Sequence, residues 1–187
     1  AVCSLVASQA MHRDGFRVAL CGEGADELFC GYAPLEIAFH EGAAQGAPVR
    51  DEVLSLMNRV SLQRVDRCSM RYAVETREPF LDPAVVNYAL NLDAGALVRE
   101  VNGLPVGKMP LRDLYDLYPD ELPAIIRDRT KVPFGEGAGL DTGRDGWISR
   151  FEDEISDAEF GAADREFGGF KVQSKEELFY LRKLAAV

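Results

Sequence analysis

The stretch Val18-Ala-Leu-Cys-Gly-Glu-Gly-Ala-Asp-Glu27 decides the fold class of this chain. It belongs to an apolar, partly β-branched run, Phe16 to Cys21, that stops abruptly at Gly22, which is how a buried parallel strand reads. A helix is expected to start near Ala25 and run to about Phe39. Strand, two-glycine turn and helix start together predict the carboxyl end of a strand in an open α/β sheet, where such sheets hold ligands. Gly22 and Gly24 would let the backbone turn sharply or approach a ligand closely. Turns of this kind cradle phosphate on backbone N–H groups. This one carries Glu23, Asp26 and Glu27 with no base between them, and three carboxylates repel a bare phosphate. A divalent cation should mediate, and Mg²⁺ prefers one or two carboxylates completed by substrate phosphates. The plain alternative is capping by Asp26 or Glu27, worth about 0.3–1 kcal/mol near a helix N-terminus. A two-glycine turn alone does not decide between them.

Toward the amino terminus, Val2, Leu5, Val6 and Met11 fall in rough helical register, and Arg13-Asp14-Gly15 closes that segment. On the other side, the Gly/Ala/Pro-rich stretch from Glu41 to Pro48 is the best loop candidate. Beyond it the signal is helical almost throughout. Val53, Leu56, Met57 and Val60 sit at i, i+3, i+4 and i+7, as do Leu111, Leu114, Tyr115 and Tyr118. Leu178 and Leu181 mark a last helix behind Ser174-Lys-Glu-Glu177, which resembles a capping box. The reading is an α/β protein, predominantly helical, with one clear strand. One strand cannot make a sheet, so further strands are either hidden or belong to sequence outside this chain.

The chain has 187 residues, and 21 Lys+Arg against 31 Asp+Glu leave a formal charge of −10. That balance argues against broad, sequence-independent nucleic-acid binding. Hydrophobic residues at 47% and charged residues at 28% exclude wholesale disorder. No run approaches the ~18 uninterrupted apolar residues of a membrane span, and no basic export signal opens the chain. Residues 145–160 carry six acids against Arg150 and read as a solvated helix and its exit. Cys3, Cys21, Cys30 and Cys68 include no C-x-x-C pair, and His12 and His40 lie far apart. A zinc site and a disulfide framework are therefore not expected, and reduced thiols in the cytoplasm are.

Two further stretches could carry chemistry. In Arg127-Asp-Arg-Thr-Lys-Val-Pro-Phe-Gly-Glu-Gly-Ala-Gly139, a helix from Leu122 to Arg129 leads into a loop with three glycines and a buried-looking Phe134. Lys131, entering that loop, can reach a phosphate as a compact charge, or it is simply a cation at a helix C-terminus. Farther back, Arg64, Arg67 and Arg71 share a helical face, with Asp66, Glu75 and Asp82 as available partners. By themselves they read as a structural ion-pair network; a basic pocket for a small polyanion is the sharper alternative.

These stretches resemble the synthetase domain of glutamine-dependent asparagine synthetases and the related β-lactam synthetases. That family's Ser-Gly-Glu-Gly-x-Asp-Glu-x-Phe-Gly-Gly-Tyr is met by Cys21-Gly-Glu-Gly-Ala-Asp-Glu-Leu-Phe-Cys-Gly-Tyr32. Its Arg-x-Asp-Arg and Glu-x-Arg-x-Pro-Phe-Leu-Asp elements are met by Arg64 to Arg67 and by Glu75 to Asp82. Its Leu-Pro and Arg-x-Lys-x-x-Phe-x-x-Gly elements appear at Leu122-Pro123 and from Arg129 to Gly137. The resemblance implies the C-terminal part of an adenine-nucleotide α-hydrolase-like (PP-loop ATP pyrophosphatase) synthetase domain over residues 1–187.

The implied activity is ATP-dependent amide formation. A carboxylate, aspartate in the main branch, is activated as an acyl-adenylate with release of pyrophosphate, and ammonia drawn from glutamine then displaces AMP. By matching position, Asp26 would bind Mg²⁺, while Lys131, Arg129, Gly22 and Gly24 would face ATP. Glu23 stands where asparagine synthetases have glutamate and β-lactam synthetases tyrosine, which favours ammonia over ring closure. Arg64, Arg67 and Glu75 would be framework or substrate-pocket residues.

The departures matter as much. The family's pyrophosphate loop, Ser-Gly-Gly-x-Asp-Ser, occurs nowhere in these residues, and neither does the glutaminase cysteine. The expected partner is therefore a missing half, or a second chain, that carries both. Cys21 and Cys30 replace Ser and Gly, Cys30 adding bulk, and Glu78 replaces an apolar residue before Pro79. Three readings follow: the C-terminal part of a working ligase, a stand-alone subunit amidating a specialised carboxylate, or a non-catalytic binding module. None involves nucleic acid or membrane.

Overall fold

Val18–Leu20 forms β1 and pairs in parallel with Glu75–Arg77, β2, in the register Val18–Glu75, Ala19–Thr76, Leu20–Arg77. The computed structural model describes residues 2–127, 129–139 and 146–186, with backbone alone for 147 and 148. β2 is the hidden strand: three residues of Glu-Thr-Arg are too short and too polar to show alternation. The expectation that β1 is buried is corrected. Phe16 and Val18 are exposed and Leu20 is 74% exposed, because a two-stranded pair with no third strand among the described residues leaves an edge uncovered.

The chain forms two compact units, residues 1–131 and 132–187. In the first, α1 (Val2–Arg13) precedes β1, and the single helix expected after the turn is two, α2 (Ala25–Leu28) and α3 (Ala33–Glu41). Cys30 breaks them with a left-handed φ of 61°, and Pro34 restarts the helix in its first turn, where a missing N–H costs nothing. The loop expected over 41–48 is also corrected: α4 (Ala43–Met57) begins right after Gly42 and contains Pro48. The small residues there serve a helix–helix contact, since a Cβ at Gly46 would fall 2.3 Å from the Phe39 ring.

α4 continues through a π turn, Asn58–Leu62, into α5 (Gln63–Met70). The wider turn shifts the helical phase just before Arg64, and Met57 is buried while Leu56 and Val60 are exposed. A 3-10 turn, Pro79–Leu81, leads to α6 (Pro83–Leu90), capped by Asp82 Oδ1 accepting from the Ala84 N–H at 2.8 Å. α7 (Ala94–Leu97) follows. The core of this unit gathers Leu28, Phe29, Cys30, Leu35, Phe39, Ala89, Leu97 and Val98. Buried Arg50 lies 5.0 Å from the Phe39 ring centre and donates to the Ala89 carbonyl at 3.3 Å.

An antiparallel hairpin, β3 (Arg99–Val101) and β4 (Leu104–Val106), turns at Asn102-Gly103, both at positive φ. That Asn-Gly pair is a strong hairpin signal that the sequence reading passed over. α8 (Met109–Leu117) and α9 (Ala124–Arg127) complete the unit; α9 is shorter than the helix expected over 122–129.

The second unit holds α10 (Phe134–Gly137), α11 (Trp147–Glu154), α12 (Asp157–Glu166) and α13 (Lys175–Ala185), with a core of Ile155, Ala163, Val172 and Leu178. Ser174 Oγ accepts from the Glu177 N–H at 3.1 Å, as the capping reading expects, and Glu177 Oε2 takes the Gln173 N–H at 2.6 Å. Phe134, expected to be buried, is 63% exposed, on a one-turn helix too short to build an apolar stripe. The described acids of the acidic run are exposed, as a solvated face would be, and two of them, Glu152 and Asp157, also pair with the buried Lys175 at 3.0 and 2.8 Å. Among the described residues no helix is long and apolar enough to cross a membrane.

Candidate functional site

The turn after β1 aims its carboxylates in different directions. Glu27, buried, caps α2: its Oε2 accepts from the Gly24 N–H at 3.1 Å and its Oε1 from the Tyr32 hydroxyl at 2.8 Å. Burial, and then the Glu27 carboxylate, push the Tyr32 phenol up. Asp26 is thereby left to face cations. Its Oδ2 accepts from Lys131 Nζ at 2.9 Å, and Lys108 Nζ stands 2.8 Å from its Oδ1 as an ion pair without an aligned hydrogen bond. The carboxylate is 16% exposed. It packs against Gly31, where a Cβ would fall 1.9 Å from Oδ1 and 2.3 Å from Lys108 Cε.

Both lysines are set by backbone. Lys108 takes a φ of 59° and its N–H donates to the Phe29 carbonyl at 2.7 Å. Gly107 allows that approach, since a Cβ there would fall 1.6 Å from the Cys30 carbonyl oxygen. Lys131 Nζ lies 5.7 Å from the centre of the Tyr32 ring. Arg112, on α8, ties the two segments together by donating to the carbonyls of Gly107 at 3.1 Å, Arg129 at 3.2 Å and Arg127.

Beside this triad, Glu23 Oε1 accepts from Arg64 Nη2 at 3.0 Å. Cys21 donates through Sγ to Glu78 Oε1 at 3.5 Å, so two of the residues that depart from the resembled pattern meet each other. Burial, with the charges of Glu78 and Glu23 adding to it, pushes the Cys21 thiol up to about 11.

Residues 1–54 and 52–186 match the family model described as asparagine synthase. The chain belongs to the asparagine synthase family. It is 32% identical over 191 residues to the probable glutamine-hydrolyzing asparagine synthetase of Schizosaccharomyces pombe, covering 95% of this chain and 32% of that protein. It is 30% identical over 194 residues to glutamine-hydrolyzing asparagine synthetase 1 of Saccharomyces cerevisiae, covering 96% and 32%. The chain therefore spans about a third of the length of the curated relatives it matches.

In this asparagine synthase family member the fold brings Asp26 to Lys131 and Glu23 to Arg64, with exposed Gly22 on the same turn. Other expected site residues lie elsewhere. Gly24 is buried, its N–H is taken by Glu27, and a Cβ there would fall 2.5 Å from Leu81 Cδ2, so packing and a φ of 94° require its glycine. Glu75 stands at the amino end of β2, opposite the Gly22 turn, and pairs with Arg77 at 2.7 Å. Of the partners expected for the arginines, Asp82 caps α6 and Glu75 pairs with Arg77, while Arg64 reaches Glu23. Arg67 and Arg129 are exposed, and Arg129 enters the network through its carbonyl.

Sequence reasoning missed Lys108 and Arg112. The Gly107-Lys108 pair ahead of a helix with Pro110 in its first turn was the available signal. Among the described residues no three metal-ligating side chains cluster. Asp26 nevertheless suits a cation, since both its oxygens already face ammonium groups, and one carboxylate with substrate phosphates is a set that Mg²⁺ accepts.

Proposed function

We propose that this chain carries the adenylating residues of an amide-forming ligase of asparagine synthetase type. The observation that carries the reading is the convergence of Lys108 and Lys131 on Asp26, beside the Glu23–Arg64 pair and just past the carboxyl end of β1. A substrate carboxylate, aspartate by analogy with the relatives' names, attacks the α-phosphorus of ATP, and the bond to pyrophosphate breaks. Ammonia then attacks the acyl carbon of the adenylate and AMP leaves. Lys108 and Lys131 hold the polyphosphate oxygens and neutralise the charge that develops on pyrophosphate. Losing one such preorganised donor costs about 2.7–4 kcal/mol, or about 10²–10³ in rate. Glu23, oriented by Arg64, accepts the proton that the incoming ammonia sheds. Asp26 would hold Mg²⁺, which when bound screens the triphosphate charge.

Glutamine as nitrogen donor and the pyrophosphate loop belong, in this reading, to a further segment or partner chain. The uncovered Phe16, Val18 and Leu20 support a sheet that such a segment continues. The unbridged thiols of Cys3, Cys21 and Cys30 suit a reducing compartment such as the cytoplasm.

The test is Mg-ATP-dependent pyrophosphate release with aspartate and ammonia, for the chain alone and with a co-expressed segment carrying the Ser-Gly-Gly-x-Asp-Ser loop. Release is expected only with the added segment and is abolished by Lys131→Ala or Asp26→Ala. Near-normal release in either variant defeats the site assignment.

A further inference from the structure

We infer that Glu78 holds the nitrogen nucleophile of this reaction as an ammonium cation at the carboxyl end of β2, and takes the first proton that the nitrogen must lose. The inference rests on the amide-forming reading and deepens it, adding the form in which nitrogen reaches the acyl carbon. The Cys21 N–H donates to the Arg77 carbonyl at 2.9 Å, which carries the β1–β2 pairing past Leu20. Glu78 therefore leaves β2 beside Cys21, next to the Gly22 turn, with its Oε1 3.5 Å from Cys21 Sγ. Its backbone is held there, since Pro79 follows it and its carbonyl accepts from the Leu81 N–H at 2.9 Å. The carboxylates around it are satisfied within the chain: Glu23 by Arg64, Asp26 by two lysines, Glu75 by Arg77, and Glu27 by Tyr32 and the Gly24 N–H. Glu78 differs. It is half-buried, and among the described residues it has the Cys21 thiol but no cation. A thiol is a weak donor and leaves that charge standing, in a place where water screens it only partly.

The neighbours of Glu78 say which cation suits it. Glu78 and Glu23 both stand close enough to Cys21 for their charges to push its thiol up, so Glu78 lies on the side of the residue that receives the nucleophile's proton. A divalent metal ion is the poorer occupant, since it needs several oxygen ligands and no three metal-ligating side chains cluster among the described residues. An ammonium needs one carboxylate oxygen for one N–H, which Glu78 offers. Nitrogen that arrives protonated sheds one proton before it attacks and a second afterwards. Glu78 takes the first, which leaves the lone pair on nitrogen. That pair forms the bond to the acyl carbon, the bond from the acyl carbon to the AMP oxygen breaks with its electrons going to AMP, and Glu23 takes the second proton. Free ammonium and a primary alkylammonium share this chemistry, and the test separates them.

Cys21 is the reporter, because a cation on Glu78 cancels the charge beside its thiol. The full 187-residue chain is alkylated with iodoacetamide at pH 8 in ammonium, methylammonium or tetramethylammonium chloride at equal ionic strength, with Cys3 as the internal reference. Ammonium is expected to speed Cys21 at least about threefold, in a saturating manner, and tetramethylammonium, which has no N–H, to leave it unchanged. A response to methylammonium as well supports a primary amine as nucleophile, and a response to ammonium alone supports free ammonium. Equal wild-type rates in ammonium and tetramethylammonium overturn the inference, and that comparison needs no variant. Glu78→Gln is expected to lose the ammonium response, and an undiminished response in it overturns the inference too. In the chain co-expressed with the segment that carries the pyrophosphate loop, Glu78→Gln is expected to raise the KM for ammonium about tenfold, the worth of a bond to a charged group, and not that for aspartate. An unchanged KM for ammonium overturns the role of Glu78 in the reaction. Absence of any amide product from that wild-type assembly overturns the ligase reading instead, while the alkylation result still decides whether Glu78 holds a cation.

Discussion

Lys131 donates to Asp26 Oδ2 at 2.9 Å while its Nζ lies 5.7 Å from the centre of the Tyr32 ring, so one ammonium is held by a carboxylate and by a π face. Tyr32 also donates to the buried Glu27 at 2.8 Å, and the two roles separate by mutation. Tyr32→Phe keeps the ring but leaves Glu27 Oε1 without its donor, and is expected to cost about 1–3 kcal/mol in urea unfolding. Tyr32→Leu removes the ring too and should weaken Mg-pyrophosphate binding further, by the ~0.5–1 kcal/mol of an exposed cation–π contact.

Arg112 serves three carbonyls on two segments, a task for a planar fork. Arg112→Ala is expected to lose about 1.5–3 kcal/mol of stability, as for bonds to a charged donor, and to raise amine labelling of Lys131. Arg112→Lys, a single flexible ammonium, should rescue less than half of the loss.

Two glycines of the site should behave oppositely. At Gly107 a Cβ would strike the Cys30 carbonyl oxygen at 1.6 Å, a backbone atom that cannot step aside, so Gly107→Ala is expected to cost about 3 kcal/mol or to prevent folding. At Gly22 nothing lies within 4 Å of the same atom, and Gly22→Ala should change stability by no more than about 0.5 kcal/mol. Thermal melts of the two variants decide the comparison.

Cys21 is half-buried beside Glu78, and its thiol is pushed up to about 11, chiefly by burial and then by neighbouring carboxylate charge. At pH 8 it is almost wholly protonated. Glu78→Gln removes one negative charge, lowers the thiol toward its ordinary range and raises the thiolate fraction. Iodoacetamide should then alkylate Cys21 several-fold faster, as peptide mass spectrometry would read, while buried Cys30 stays inert.

The unit of residues 132–187 should be acid-sensitive. Hydrogen bonds from Lys175 hold the Asp157 carboxyl below its ordinary value, those from Ser156 and then Arg182 do so for Glu159, and Arg182 does so for Glu166. Carboxyls lowered on folding stabilise above the ordinary range, near pH 4, and that contribution is lost as pH falls through the depressed values. Hydrogen exchange followed from pH 6 to pH 2.5 should show α12 and α13 losing protection first, and Arg182→Gln should flatten the dependence.

What could be read without coordinates was local. The β1–turn–α2 order, the Ser174 cap and the family motifs each depend on residues within a few positions of one another, where hydrogen-bond geometry and side-chain period leave a pattern. The same local logic misread 41–48 as a loop, because small residues that free a chain in solution also let Phe39 pack onto a helix backbone at Gly46. It could not foresee that Cys30 would take a left-handed φ and end α2, a strain that is borne because the surrounding core holds that residue fully buried.

The chain's own order of residues determined that an acidic two-glycine turn would follow a strand and that Lys131 would lie in a glycine-rich segment. Only the tertiary structure decided that Lys108 would share Asp26 with Lys131, that Arg112 would hold both segments, and that Arg64 would choose Glu23 over nearer acids. An ion pair forms wherever packed backbones bring opposite charges within about 3 Å, and that meeting depends on chain closure over tens of residues, which no local spacing encodes.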